Sequence, residues 1–122
     1  MTAHLDLVDR YIAVWNETDA ARRRALIEET WADDASYVDP LMAGKGYEGI
    51  DAMIGAVHER FSGHHFRLST KADGFGNYVR FSWDLVAPGG EAIVKGSDFA
   101  VVDAAGKLKS VTGFLDATPG AA

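Results

Sequence analysis

Three residues of this chain have types and surroundings that could do chemistry: Asp39, which precedes Pro40; Asp98, an acid inside an apolar run; and Tyr11, beside the apolar stripe of a first helical segment. Proline has no N–H for a sheet ladder and biases the residue before it towards extended backbone. Asp39 is therefore expected at the end of a strand that begins near Trp31, with a carboxylate able to face inward. By itself Asp39-Pro40 also reads as a turn initiator. Asp98 shares strand parity with Val94, Ala100 and Val102. A carboxyl among such neighbours is either hydrogen-bonded as a structural group or kept neutral so that it can donate. Tyr11 is either a core side chain with its hydroxyl at the edge or a member of the same site.

Other chemistries fare worse. There is no cysteine, which removes disulfides, thiolate nucleophiles and cysteine-based zinc sites. Gly44, Gly46 and Gly49 lack the order of a dinucleotide fingerprint and the Gly-Lys-Ser/Thr ending of a phosphate loop, so they read as turns. His64 and His65 point to opposite sides of a strand and are not expected to share a metal ion, and His58 is expected on the outer side of its helix. Neither Ser62, Ser69 nor Ser82 stands in a nucleophile elbow. No cofactor or metal is expected.

The elements that must position the three residues follow from periodicity. Leu5, Val8, Ile12 and Trp15 predict an amphipathic helix from about His4 to Asn16, with Thr2 as its cap. Asp19 is a good N-cap for a second helix running towards Trp31. Within it, Arg22-Arg23-Arg24, followed by Glu28 and Glu29, reads as a solvated face. Ile50, Met53, Ile54, Val57 and Phe61 give a third helix closed by Ser62-Gly63. Strands follow: Phe66 to Leu68; Val79 to Leu85, ended by Pro88-Gly89-Gly90; Ala92 to Val102; and Leu108 to Leu115 after the Ala104-Ala105-Gly106 turn. The tail from Thr118 is expected to be loose.

Helices followed by long strands predict one α+β domain over residues 1–122, its helices on one sheet face. Ile93, Phe99 and Val101 share one parity of the long strand and Val94 and Val102 the other, so both faces carry apolar groups and a homodimer through the sheet is expected. A formal charge of −6 disfavours nucleic acid. No apolar run approaches a membrane span and the N-terminus has no basic-then-apolar segment, so a cytoplasmic protein without membrane association is expected.

The layout of Arg10-Tyr11-Ile12, then Ala32-Asp33-Asp34-Ala35 with Asp39-Pro40, then Asp98 before Val102-Asp103 and the Gly106 turn resembles the ketosteroid isomerases. More broadly it resembles the SnoaL-like polyketide cyclases within the nuclear transport factor 2-like superfamily. The resemblance implies a cystatin-like cone, three N-terminal helices packed on a curved, mixed and mostly antiparallel β-sheet. It also implies Asp39 as general base, with Tyr11 and Asp98 as oxyanion donors acting on a small hydrophobic molecule. Trp15, Trp31, Val57, Phe61, Trp83 and Leu115 would line the pocket. Trp31 and Val57 stand where some of those isomerases have supporting tyrosines, and Leu115 where an aromatic is common. Three classes stay open: a cofactor-independent isomerase or aldol-type cyclase, a hydrolase or dehydratase using the same cavity, and a non-catalytic binding or dimerisation module. Convergence of Tyr11, Asp39 and Asp98 on one cavity is the discriminating observation.

Overall fold

A computed structural model describes the backbone of residues 2–117 and the side chains of residues 4–116. In chain order the elements are α1 (Thr2–Asn16), α2 (Ala20–Thr30), β1 (Trp31–Val38), β2 (Ala43–Lys45), α3 (Gly46–Arg60), β3 (His65–Leu68), β4 (Asp73–Phe75), β5 (Tyr78–Val86), β6 (Ala92–Val102) and β7 (Leu108–Ala117). The strands form one sheet of order β2-β1-β7-β6-β5-β3, with β4 also paired to β5. All pairings are antiparallel except that of β1 with β7, which lays the strand leading to Asp39 alongside the last strand. Register shifts in β5, β6 and β7 let the sheet bend around the helices. This is the expected α+β cone. The proposed cap Thr2 and the tail from Thr118 lie outside the described side chains and residues.

The buried stripe of α1 is Leu7, Val8, Tyr11, Val14 and Trp15. It is rotated from the predicted one so that Tyr11 sits at its centre rather than beside it, and Leu5 and Ile12 move to its flanks. Asp19 caps α2 as expected, accepting the Arg22 backbone N–H at 2.9 Å. The arginine run is not uniformly solvated. Arg24 pairs with Glu28 along the helix surface, whereas Arg23 is 6% exposed, donates to Asp51 at 2.6 Å and reaches His58 Nδ1 at 3.2 Å. Because Arg23 has no acceptor, His58 carries its ring proton on Nε2, which donates to the Trp15 carbonyl at 2.6 Å. His58 thus ties α1, α2 and α3 together instead of standing on an outer surface, because the buried guanidinium needs partners on every side.

The helix α3 starts at Gly46, one turn before Ile50, and the preceding residues form the short edge strand β2 rather than a run of turns. Gly44 packs on Gly49 so closely that a Cβ at Gly44 would meet the Gly49 carbonyl oxygen at 2.9 Å, which is how the helix can begin directly on the strand.

On the inner sheet face lie Val79, Phe81, Trp83 and Leu85 of β5 and Val94, Asp98, Ala100 and Val102 of β6, all buried. The outer face keeps aromatic groups in solvent: Phe99 is 42% exposed, stacked on Tyr78 at 5.8 Å, with Phe75 and Phe114 also exposed. Asp84 is buried on that face between Arg67 and Lys95, at 3.3 Å and 3.1 Å. Among the described residues no helix is long and apolar enough to cross a membrane.

Candidate functional site

Tyr11, Asp39 and Asp98 all line one cavity of about 830 Å³ between the helices and the open end of the sheet. Each arrives from a different element. Tyr11 comes from the buried stripe of α1, where its hydroxyl donates to Asp98 Oδ2 at 2.6 Å. Asp98 comes from the middle of β6, inward-facing between Phe81 of β5 and Gly113 of β7. Asp39 follows the last residue of β1, whose parallel register with β7 sets Val38 opposite Thr112 and so brings Asp39 beside Gly113.

Asp39 fulfils both readings of its dipeptide. Its Oδ1 accepts the backbone N–H groups of Leu41 and Met42 at 2.8 Å and 3.0 Å, which builds the turn after Pro40. Its Oδ2 accepts the Tyr37 hydroxyl at 2.6 Å on the cavity side. Tyr37 is absent from the site read off the sequence, although it shares strand parity with Asp39 and period-two spacing carries that signal. Gly113 is the second omission. A Cβ there would lie 2.9 Å from Asp98 Oδ1, 3.0 Å from the Tyr37 hydroxyl and 3.2 Å from Asp39 Cβ. Two tyrosine–carboxyl pairs therefore face each other across the single position where β7 has no side chain. Gly96 clears space in the same way at the neighbouring inward position of β6, where any Cβ would strike the Trp83 ring.

The walls are largely the expected ones: Trp15, Val57, Phe61, Trp83 and Leu115 border the cavity. Trp31 does not. It is fully buried at the closed end of β1, opposite Leu108, and its ring supports Tyr11 from behind at 5.7 Å. Trp15 packs between the two tyrosines, 6.3 Å from Tyr11 and 5.6 Å from Tyr37.

Burial dominates the electrostatics. It pushes the Tyr11 hydroxyl well above its usual range, with the Asp98 charge adding to the effect, and it raises Tyr37, helped by Asp98 and by the bond to Asp39. Desolvation pushes the Asp98 carboxyl up to about 6, against donation from Tyr11 and the proximity of the Trp83 indole, both of which favour the ionised form. Asp98 Oδ1 has no hydrogen-bond partner among the described residues, so the indole proximity does not amount to a bond. Asp98 thus has features of both readings: it is hydrogen-bonded to Tyr11, and burial draws its carboxyl up towards neutrality.

A cone of helices on a bent sheet, enclosing an apolar cavity with an acid at its floor and another at its mouth, defines the class. The model of the SnoaL-like domain matches residues 8–111, and the chain belongs to that family. Among solved structures, a protein of Agrobacterium tumefaciens described as a candidate isomerase of the SnoaL-like family is similar at 46% identity and a TM-score of 0.92, over 95% of this chain and 99% of its own. A candidate SnoaL-like polyketide cyclase of Jannaschia shares the fold at 19% identity and a TM-score of 0.72, over 94% and 86%. So does a Catenulispora acidiphila protein of ketosteroid isomerase-like fold, at 19% identity and a TM-score of 0.71, over 88% and 82%. No curated protein is matched by the sequence.

Proposed function

We propose that the chain is a cofactor-independent enzyme of isomerase or cyclase type, moving a proton next to the carbonyl of a small hydrophobic molecule. The observation that carries this reading is the opposition of the Tyr11–Asp98 and Tyr37–Asp39 pairs across Gly113 within one apolar-walled cavity. In this mechanism the substrate carbonyl oxygen sits at the Tyr11–Asp98 pair and its α-carbon at Asp39. Asp39 Oδ1 is engaged by two N–H groups, so Oδ2 takes the proton on the lone pair that Tyr37 leaves free. The C–H bond breaks, an O–H bond forms, and the electron pair moves to the carbonyl oxygen as an enolate. Growing negative charge beside Asp98 raises its proton affinity further; once Asp98 is protonated, the Tyr11 hydroxyl turns from it to the enolate oxygen, and both groups donate there. An isomerase then returns the proton at a conjugated carbon, whereas a cyclase lets the enolate carbon attack a second carbonyl. The 46% identical structure described as a candidate isomerase supports this direction.

The test uses 2-tetralone, an apolar ketone with acidic α-protons, in deuterated buffer followed by NMR. The parent should accelerate exchange and Asp39→Asn should reduce it about 10²- to 10⁴-fold, the usual span of a general base. Binding of the ketone without any accelerated exchange would favour the non-catalytic binding module.

We also propose a cytoplasmic homodimer paired through the outer sheet face, supported by exposed Phe99, Tyr78, Phe75 and Phe114 on one surface. Sedimentation equilibrium should give twice the chain mass, and a monomer at high concentration overturns the dimer.

A further inference from the structure

The cavity wall contains one basic group among the described residues, Arg60, the last residue of α3. The wall's three acids already have partners: Asp39 with Tyr37 and two backbone N–H groups, Asp98 with Tyr11, and Asp116 with the Ser97 hydroxyl at 2.8 Å. Arg60 makes no ion pair or hydrogen bond with any described side chain. It is exposed, and its guanidinium carbon lies 5.7 Å from the ring centroid of Phe61, another wall residue. The guanidinium thus lies against an aromatic ring of the cavity wall. Pro40 and Leu41, both exposed, mark the same open end from the β1 side. The cavity thus has a polarity: the Tyr11–Asp98 pair at the floor, apolar walls, and at the mouth Asp39, already held by three donors, together with a guanidinium that is unpaired among the described residues.

From this arrangement we infer that the ligand is a monoanionic amphiphile, an apolar body with a carbonyl at its inner end and a carboxylate at its outer end, which Arg60 receives. This rests on the reading of the cavity as the ligand site and adds a substrate class to it. A guanidinium offers a planar fork of donors that matches a carboxylate, and apolar walls beside it lower the screening that such a pair meets in open water. A dianion would meet Asp39 and Asp116 as well, with only one cation to offset them.

The experiment compares 2-naphthoate with its uncharged methyl ester by titration calorimetry, with the indole cross-peaks of Trp15 and Trp83 reporting that the probe is in the cavity. The parent should bind naphthoate more tightly than the ester. Arg60→Gln should weaken naphthoate roughly three- to tenfold, the range for one partly solvated charged contact, and leave the ester unchanged. Arg60→Lys should recover some of the loss, and added salt should weaken naphthoate in the parent but not in the glutamine variant. Equal losses for both probes would make Arg60 a mere wall, and an unchanged naphthoate affinity would remove it from recognition. Either result overturns the anion assignment while the cavity reading stands. Failure of the ester itself to enter the parent would overturn both together.

Discussion

The two tyrosine–carboxyl pairs have the same chemistry and the same 2.6 Å oxygen separation, yet they sit in opposite surroundings. The inner pair is buried: Tyr11 is 2% exposed and Asp98 is 3% exposed, and the tyrosine is the only hydrogen-bond partner of the Asp98 carboxyl among the described residues. At the mouth, Asp39 is half-buried and accepts three donors, two of them backbone N–H groups fixed by the turn it caps. A carboxyl with one donor and an apolar shell gains by taking a proton, whereas Asp39 has three donors and partial exposure. Environment alone can thus divide two aspartates into acceptor and donor.

The largest effect is expected from the same substitution made in each pair. Asp39→Asn removes the proton acceptor and should lower ketone exchange about 10²- to 10⁴-fold, while Asp98→Asn keeps a donor and should lower it only about tenfold or less. Equal losses would mean that the two acids do not differ in role.

The second effect is on stability and follows from Asp98 alone. Its carboxyl moves from an ordinary value of 3.8 to about 6 on folding, so the native state holds this proton more tightly than the unfolded chain does. The resulting stability is fully present below about pH 4 and is lost as pH rises through 6, a difference of about 3 kcal/mol. Asp98→Asn has no such loss. Its stability relative to the parent, from urea unfolding, should therefore improve by about 2 kcal/mol between pH 4 and pH 7. A constant difference would place Asp98 in a more polar setting than its burial indicates.

What could be read without coordinates divides along similar lines. Tyr11, Asp39 and Asp98 were legible because each breaks a local pattern: a tyrosine near a helical stripe, an acid before proline, an acid in an apolar strand. The three helices and the long strands β5, β6 and β7 were legible from their periodicity. Tyr37 carries no such mark, since a tyrosine in an alternating strand breaks no rule. Gly113 could not be, because its value lies in a register that joins β1, β6 and β7 across long stretches of chain. Arg23 and His58 escaped for the same reason: they meet Asp51 and the Trp15 carbonyl only after three helices have packed. The short strands β2 and β4, three residues each, offer too few positions for any period to show.

The smallest effect tests the pairs from the tyrosine side. Tyr37→Phe takes one of three donors from Asp39 and leaves its two backbone bonds intact, so stability at pH 7 should fall by only about 0.5–1.5 kcal/mol, the net worth of an ordinary hydrogen bond. Tyr11→Phe takes the sole hydrogen-bond partner from a buried carboxyl, which should cost about 1.5–3 kcal/mol at the same pH. The two variants should also differ in their response to acid. With its donor gone, Asp98 loses a contact that favours the charged form, so its midpoint rises and most of the Tyr11→Phe loss should vanish near pH 5. The Tyr37→Phe loss should change less over that range, because it comes from a half-buried carboxyl that keeps two backbone bonds. Urea unfolding of both variants at the two pH values decides the matter. Parallel losses, unaffected by acid, would mean that the inner carboxyl is no more desolvated than the outer one, and the division of labour between the two pairs would have no physical basis.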